Sequence, residues 1–267
     1  MKSIMALIVG IGLSLFASAA TGGDDIDKKL LDGILRELDL MPSLYAASDE
    51  PIGAPKFSTA KLAAYAVGPK QTIELERSRW KANKVAFDKN LPLRSAIFEA
   101  MDEAEGFRPR KFPMTLAASK MPLKQKADVH RDQESLATTL FKLETVLAQM
   151  EKAVQKRNQE KVKRWVADFD FAMARVQTNV VFLWEYNYML AQVRTDRLPQ
   201  LAAGQDGWKI KSRAKVSIPE SKVKDLVKAR AKLLQSIQDE HADTPWAHFA
   251  KIEGKREMGM EWTPKKK

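Results

Sequence analysis

Between Glu134 and Leu198 the apolar residues of this chain recur at alternating steps of four and three, and this limits the fold more than any other feature. Leu136, Leu140, Leu143, Leu147, Met150 and Val154 form one stripe. Trp165, Phe169, Ala172, Val176, Asn179, Leu183, Tyr186, Leu190 and Val193 form a second. Two such stripes predict a long helical hairpin turning around Arg157 and Asn158, each helix covering the other's apolar seam. Burial of each aliphatic or aromatic side chain contributes about 1.5–3 kcal/mol, so this seam supplies a core that needs no crosslink. Asn179 either fixes the register of the seam or lies partly exposed at the bundle end; the second is the plainer expectation.

The rest of the chain is arranged around that hairpin. Ile26, Leu30, Leu31, Ile34, Leu35 and Leu38 predict a short amphipathic helix ended near Pro42. Further helices are expected over 58–67, 70–88 and 92–105, the last opened by Pro92 in its first turn. Residues 106–130 read as an extended basic connector pinned by Phe107, Phe112 and Leu116, with a strand-like piece at 114–117. After Pro199, residues 200–218 read as a loop pressed onto the bundle by Trp208 and Ile210. Residues 219–262 predict a helix pair, its second helix capped by Thr244 with Pro245 in the first turn and Trp246 facing inward. Small Ala247 and Ala250 at the crossing make this pair look like one tetratricopeptide-type unit, which cannot bury its face alone and is expected to stack on the hairpin. Residues 263–267 are a basic tail. The expected fold is therefore all-α: an elongated helical bundle around a central hairpin (131–199), with an N-terminal helical region (20–105) and the C-terminal pair.

Residues 1–19 have the layout of a secretory signal peptide. Lys2 gives a positive start, an apolar run spans 4–16, and Ala17-Ser18-Ala19 offers a cleavage site. Cleavage would leave no membrane span; retention would leave an anchor. Export to the periplasm or cell envelope is expected, and a chain without cysteine must then hold itself by its core. The formal net charge is +11 and is unevenly spread. Residues 24–50 carry eight carboxylates against three cations, whereas 207–232 are strongly basic. The acidic start and the basic remainder can attract each other, or the basic part can face an anionic polymer; a solvated basic surface is the plainer expectation.

No pattern in the chain points to a reaction. It has no Gly-x-Ser-x-Gly elbow, no phosphate-binding glycine loop, and histidines only at 130, 241 and 248, without metal-ligand spacing. Asp168, Asp170 and Glu185 are the best catalytic candidates, but Asp168 and Glu185 lie about 100° apart around one helix and do not converge. Arg164 is placed for a surface ion pair with Asp168. The aromatics Trp165, Phe169, Phe171, Phe182, Trp184, Tyr186 and Tyr188 are expected in the core. No catalytic residue, cofactor or metal is assigned, and nucleic acid is not an expected partner. The expected role is a non-enzymatic scaffold or protein-interaction module of the envelope. The alternative is a binder of anionic polymer or lipid headgroups through Arg108, Arg110, Lys111, Lys120, Lys124, Lys126, Lys209, Lys211, Arg213 and Lys215.

One stretch is familiar as text. Arg164-Trp165, Asp168-Phe169-Asp170, Glu185-Tyr186-Asn187, Met189-Leu190, Trp208, Thr244-Pro245-Trp246-Ala247 and Trp262 resemble a helical module of secreted planctomycete proteins, often found behind a von Willebrand factor type A domain. The upstream run Leu93-Arg94 through Ile97, Glu99 and Ala100, with Phe112-Pro113, belongs to the same pattern, so the resemblance spans roughly 92–262 and implies helical architecture and envelope residence. The Asp-x-Ser-x-Ser loop of the A domain is absent from this chain, so no adhesion residues carry over.

Overall fold

The computed structural model describes residues 24–40, 57, 59–68, 72–105, 112–118 and 122–266. The signal-like segment, the proline-rich 48–55 stretch and the basic residues Arg108, Arg110, Lys111 and Lys120 lie outside them. The described chain is mainly helical. In chain order come α1 (Asp24–Leu40), α2 (Thr59–Ala63), α3 (Ile73–Ala82), α4 (Lys84–Asn90), α5 (Pro92–Glu105), β1 (Thr115–Ala117) and α6 (Pro122–Val154). A short 3-10 turn at Arg157–Gln159 leads into α7 (Lys163–Arg194), followed by β2 (Gln205–Arg213), α8 (Ser221–Glu240), α9 (Pro245–Gly254) and β3 (Gly259–Lys266). Among the described residues no helix is long and apolar enough to cross a membrane.

The hairpin is present as α6 and α7, turning where the sequence places the turn. Every seam residue of α6 is buried except Val154, which lies half-buried beside the turn. On α7 the seam is only part of the buried surface. Most of its 32 residues are inaccessible, because α5 and α6 pack on one side and α8, α9 and β3 on others. The seven aromatics are core or half-buried, as expected. Asn179 is buried at 2 % exposure, not at an open bundle end.

Local signals set several boundaries. The helix expected over 70–88 is two helices, because Asn83 ends α3 and its side chain accepts the Ala86 N–H to start α4. Thr244 caps α9 through the Ala247 N–H, and Trp246, Ala247 and Ala250 are buried against its neighbours. Helix α1 docks on the rest: Ile34, Leu35 and Leu38 are buried, and Leu38 accepts a bond from Arg175 at 2.8 Å.

Three expectations are corrected. Residues 122–130 are the first turns of α6, not connector; Pro122 opens the helix, and because this part overhangs the core only Val129 is buried, so it lacks the apolar spacing that announces a helix. Residues 205–213 are a strand rather than loop. Residues 259–266, read as the end of the helix pair and a tail, are another. Together with β1, in the place of the expected strand-like piece, they make an antiparallel sheet ordered β1-β2-β3, so the fold is not purely α. Inward-facing Ile210, Met260 and Trp262 are buried, and Trp262 Nε1 donates to the Met189 carbonyl of α7 at 2.8 Å. Gly207 and Gly259 permit the close passage: a Cβ on either would overlap the carbonyl of Leu116 or Lys215.

Candidate functional site

Helix α7 buries an unusual number of charged side chains, and each faces a different element. Glu185, fully buried, accepts the N–H groups of Ser217 (2.8 and 3.0 Å), Ile218 (2.8 Å) and Met260 (2.9 Å). It ties the 214–220 loop and β3 to the helix. Asp168, also fully buried, accepts from Trp246 Nε1 at 2.8 Å, and its second oxygen has no hydrogen-bond partner among the described residues. Burial holds its carboxyl well above the usual carboxylate range, with Glu37 adding to the effect and Arg164 and Trp246 opposing it. Arg164 does not make the expected surface pair with Asp168. It is buried and donates to Glu37 of α1 at 2.7 Å.

Asp170 accepts Arg157 in a forked pair at 2.6 to 3.2 Å, and Arg157 also reaches Glu240 at 2.6 Å. His241 completes this group: Nδ1 is 2.9 Å from the Tyr65 hydroxyl and Nε2 is 3.8 Å from Asp170. Ligand atoms of Asp170, Glu240 and His241 lie within 4.8 Å of one another, near enough to hold a metal ion. Sequence spacing misses this trio because it comes from two helices far apart in the chain. The cation between its carboxylates is the Arg157 guanidinium, whose pKa is raised mainly by the bond to Asp170. Asp170 and Glu185 are thus each hydrogen-bonded to a different part of the chain, Asp170 to the turn before α7 and Glu185 to the loop after β2 and to β3.

The outward face of the sheet is different. Side chains alternate along a strand, so with Ile210 turned inward Lys209, Lys211 and Arg213 project outward, about 7 Å from one to the next. Cross-strand neighbours share a face: Thr115 and Thr263 lie opposite Lys209, Glu261 opposite Lys211, and Lys265 opposite Gly207. Among the described residues the face thus carries Lys209, Lys211, Arg213 and Lys265 against the carboxylate of Glu261, which pairs with Arg213 at 3.8 Å.

Of the other candidates, Lys215 follows β2 as an exposed loop residue and Lys124 is exposed at the start of α6. Lys126 is bridged to Asp196 at 2.5 Å. The structure therefore gathers Lys209, Lys211 and Arg213 onto one face and adds Lys265, which sequence reasoning overlooked. The signal was there: Trp208, Ile210 and Ser212 alternate with three cations, and Met260 and Trp262 alternate with Glu261 and Thr263. No protein-family model, curated protein or solved structure matches the chain.

Proposed function

We propose that the protein is a non-enzymatic helical scaffold of the cell envelope whose sheet binds an anionic envelope polymer. The observation that carries this reading is the outward row of Lys209, Lys211 and Arg213 with Lys265 beside it, opposed by one carboxylate. A rigid row of like charges raises the local concentration of a polyanion and holds its successive charges at fixed spacing. The clamped state of Asp170 and Glu185 supports a structural use of the α7 carboxylates. Envelope residence rests on the signal-like residues 1–19 and on the resemblance over 92–262. In this reading the body is elongated, and α8 and α9 act as a tetratricopeptide-like pair stiffening the hairpin. Retention on an immobilised acidic polysaccharide tests it: replacing Lys209, Lys211 and Lys265 together by glutamine should bring elution to lower salt, and unchanged elution would overturn the reading.

A second reading, docking of a protein partner, has its own observation. Leu123 and Phe141, 81 % and 71 % exposed, lie five helical turns apart on one side of α6. Binding through that side would resist salt and disappear in a Leu123→Ser, Phe141→Ser double variant.

A further inference from the structure

Next to the basic face the sheet leaves a cleft against the end of α7. Its volume is about 350 Å³, within the range of small-ligand sites, and its walls come from three places. Tyr188 and Gln192 belong to the last turns of α7, Arg197 to the segment that follows, and Arg213 and Glu261 to the sheet.

The charges there are Arg197, Arg213 and Glu261. Arg197 is exposed, and its guanidinium makes no hydrogen bond or ion pair with another described residue. Among the described residues Arg213 has only the 3.8 Å approach of half-exposed Glu261, longer than a hydrogen bond, so its donors are not saturated there. The floor is already committed: Trp262 Nε1 bonds to Met189, Ser217 Oγ to the Met260 carbonyl, and the backbone of Ser217 and Met260 to Glu185. A rigid floor beneath two under-used guanidinium groups is a preorganised anion seat, and the planar guanidinium fork matches a carboxylate in two parallel bonds. Gln192 adds amide donors and acceptors, and Tyr188 adds an aromatic surface beside them. That combination suits a sugar ring bearing a carboxylate. Another cleft among the described residues, about 260 Å³ between α5 and α6, mixes Asp88 and Glu99 with Lys152 and Lys156 and offers no comparable excess of positive charge.

We propose that this cleft binds one carboxylate-bearing sugar unit of an acidic polysaccharide, with Arg197 and Arg213 on the carboxylate, while the lysine row carries the neighbouring units. The inference rests on the reading of the sheet as a polyanion-binding face, and deepens it by naming the acidic group and the residues that select it.

The probe is a short oligogalacturonate, titrated by calorimetry into the full chain beside a neutral glucose oligomer of equal length and the long acidic polymer. The variants are Arg197→Gln, at an exposed position whose change leaves the fold intact, and Lys209→Gln, outside the cleft. The expected result is that the short acidic oligomer binds and the neutral one does not. Arg197→Gln then weakens it about tenfold or more, the scale of a lost charge-assisted pair, and Lys209→Gln weakens it less. If the long polymer binds but the short oligomer does not, or if Arg197→Gln and Lys209→Gln weaken it alike, the cleft is overturned and the lysine face stands. Equal binding of the neutral oligomer also overturns the cleft. If neither the short oligomer nor the long polymer binds, both fall.

Discussion

The carboxylate of Glu185 accepts the backbone N–H of Met260 at 2.9 Å, across 75 residues of sequence, and this contact joins the central helix to the last strand. The same carboxylate holds Ser217 and Ile218, so three backbone donors depend on one buried side chain. The lysine row proposed as the binding face depends on this anchorage, since β3 lies against α7 and β2 is held to β3.

Removing that side chain has a defined consequence. Glu185→Ala leaves the buried N–H groups of Ile218 and Met260 and the half-buried one of Ser217 without this partner, at about 1–3 kcal/mol for each buried group. Urea denaturation should show a loss of about 3 kcal/mol or more, and amide exchange in β2 and β3 should accelerate ahead of α6. A variant as stable as the parent would mean that the clamp is not structural.

Asp168 makes stability depend on pH in an unusual direction. Its carboxyl titrates well above the ordinary range in the fold but normally in the unfolded chain. Below about pH 4 both states hold the proton and the difference vanishes; as pH rises the unfolded chain gives it up first, and stability falls. Glu37, raised by burial against the bonds from Arg164, acts in the same direction. The melting temperature of the parent should therefore fall from about pH 4 toward neutrality relative to Asp168→Asn, which keeps the acceptor for Trp246 and cannot ionise. Parallel curves for the two proteins would contradict this assignment.

Gly259 tests the strand pairing. An added methyl at this position meets the Lys215 carbonyl, a backbone atom that cannot rotate away. Gly259→Ala should cost about 1–3 kcal/mol, as overpacking does, whereas Gly254→Ala, with nothing near its added carbon, should change stability by less than about 1 kcal/mol. Equal melting of the two variants would place β3 elsewhere.

The buried pair of Arg94 and Glu160 is the fourth case. Two bonds of 2.8 and 3.0 Å join them, and Arg94 lies over the Trp165 ring at 5.0 Å. Arg94→Ala leaves the half-buried Glu160 carboxylate with backbone N–H partners such as Val162 and should cost about 1.5–3 kcal/mol in denaturant, the scale of lost hydrogen bonds to a charged group. Burial alone would raise the Glu160 pKa, but the bonds from Arg94 prevail and lower it. The pair's contribution is therefore complete at neutral pH and is lost as pH falls through the depressed value, the reverse of Asp168.

How much of this was legible depended on the range of the interactions. The hairpin was, because Leu136 to Met150 and Trp165 to Val193 encode their partner by periodicity alone. Thr244-Pro245 was, because a cap is a local device. The strands were not. The alternation in β2 is short, Gly204, Gly207 and Pro219 punctuate its surroundings as they would a loop, and its partner β3 lies beyond two helices. The buried charges were hidden for a different reason: Arg164 reads as a surface cation, and only assembly shows it on Glu37, and Arg230 donating to Thr178 at 2.6 Å. The basic residues of the sheet were named from composition, but nothing short of the β2–β3 register shows that three of them share a face with Lys265.

The central claim, that this face binds an anionic polymer, is tested most directly by the salt dependence of affinity for an acidic polysaccharide, measured by titration calorimetry at several ionic strengths. Ionic contacts made at an exposed surface weaken as the Debye length shrinks from about 10 Å at 0.1 M salt. The account predicts affinity that falls steeply with salt in the parent, and a shallower dependence when Lys209, Lys211 and Lys265 are glutamine. Affinity that does not respond to salt, or a salt dependence identical in the two proteins, would contradict it.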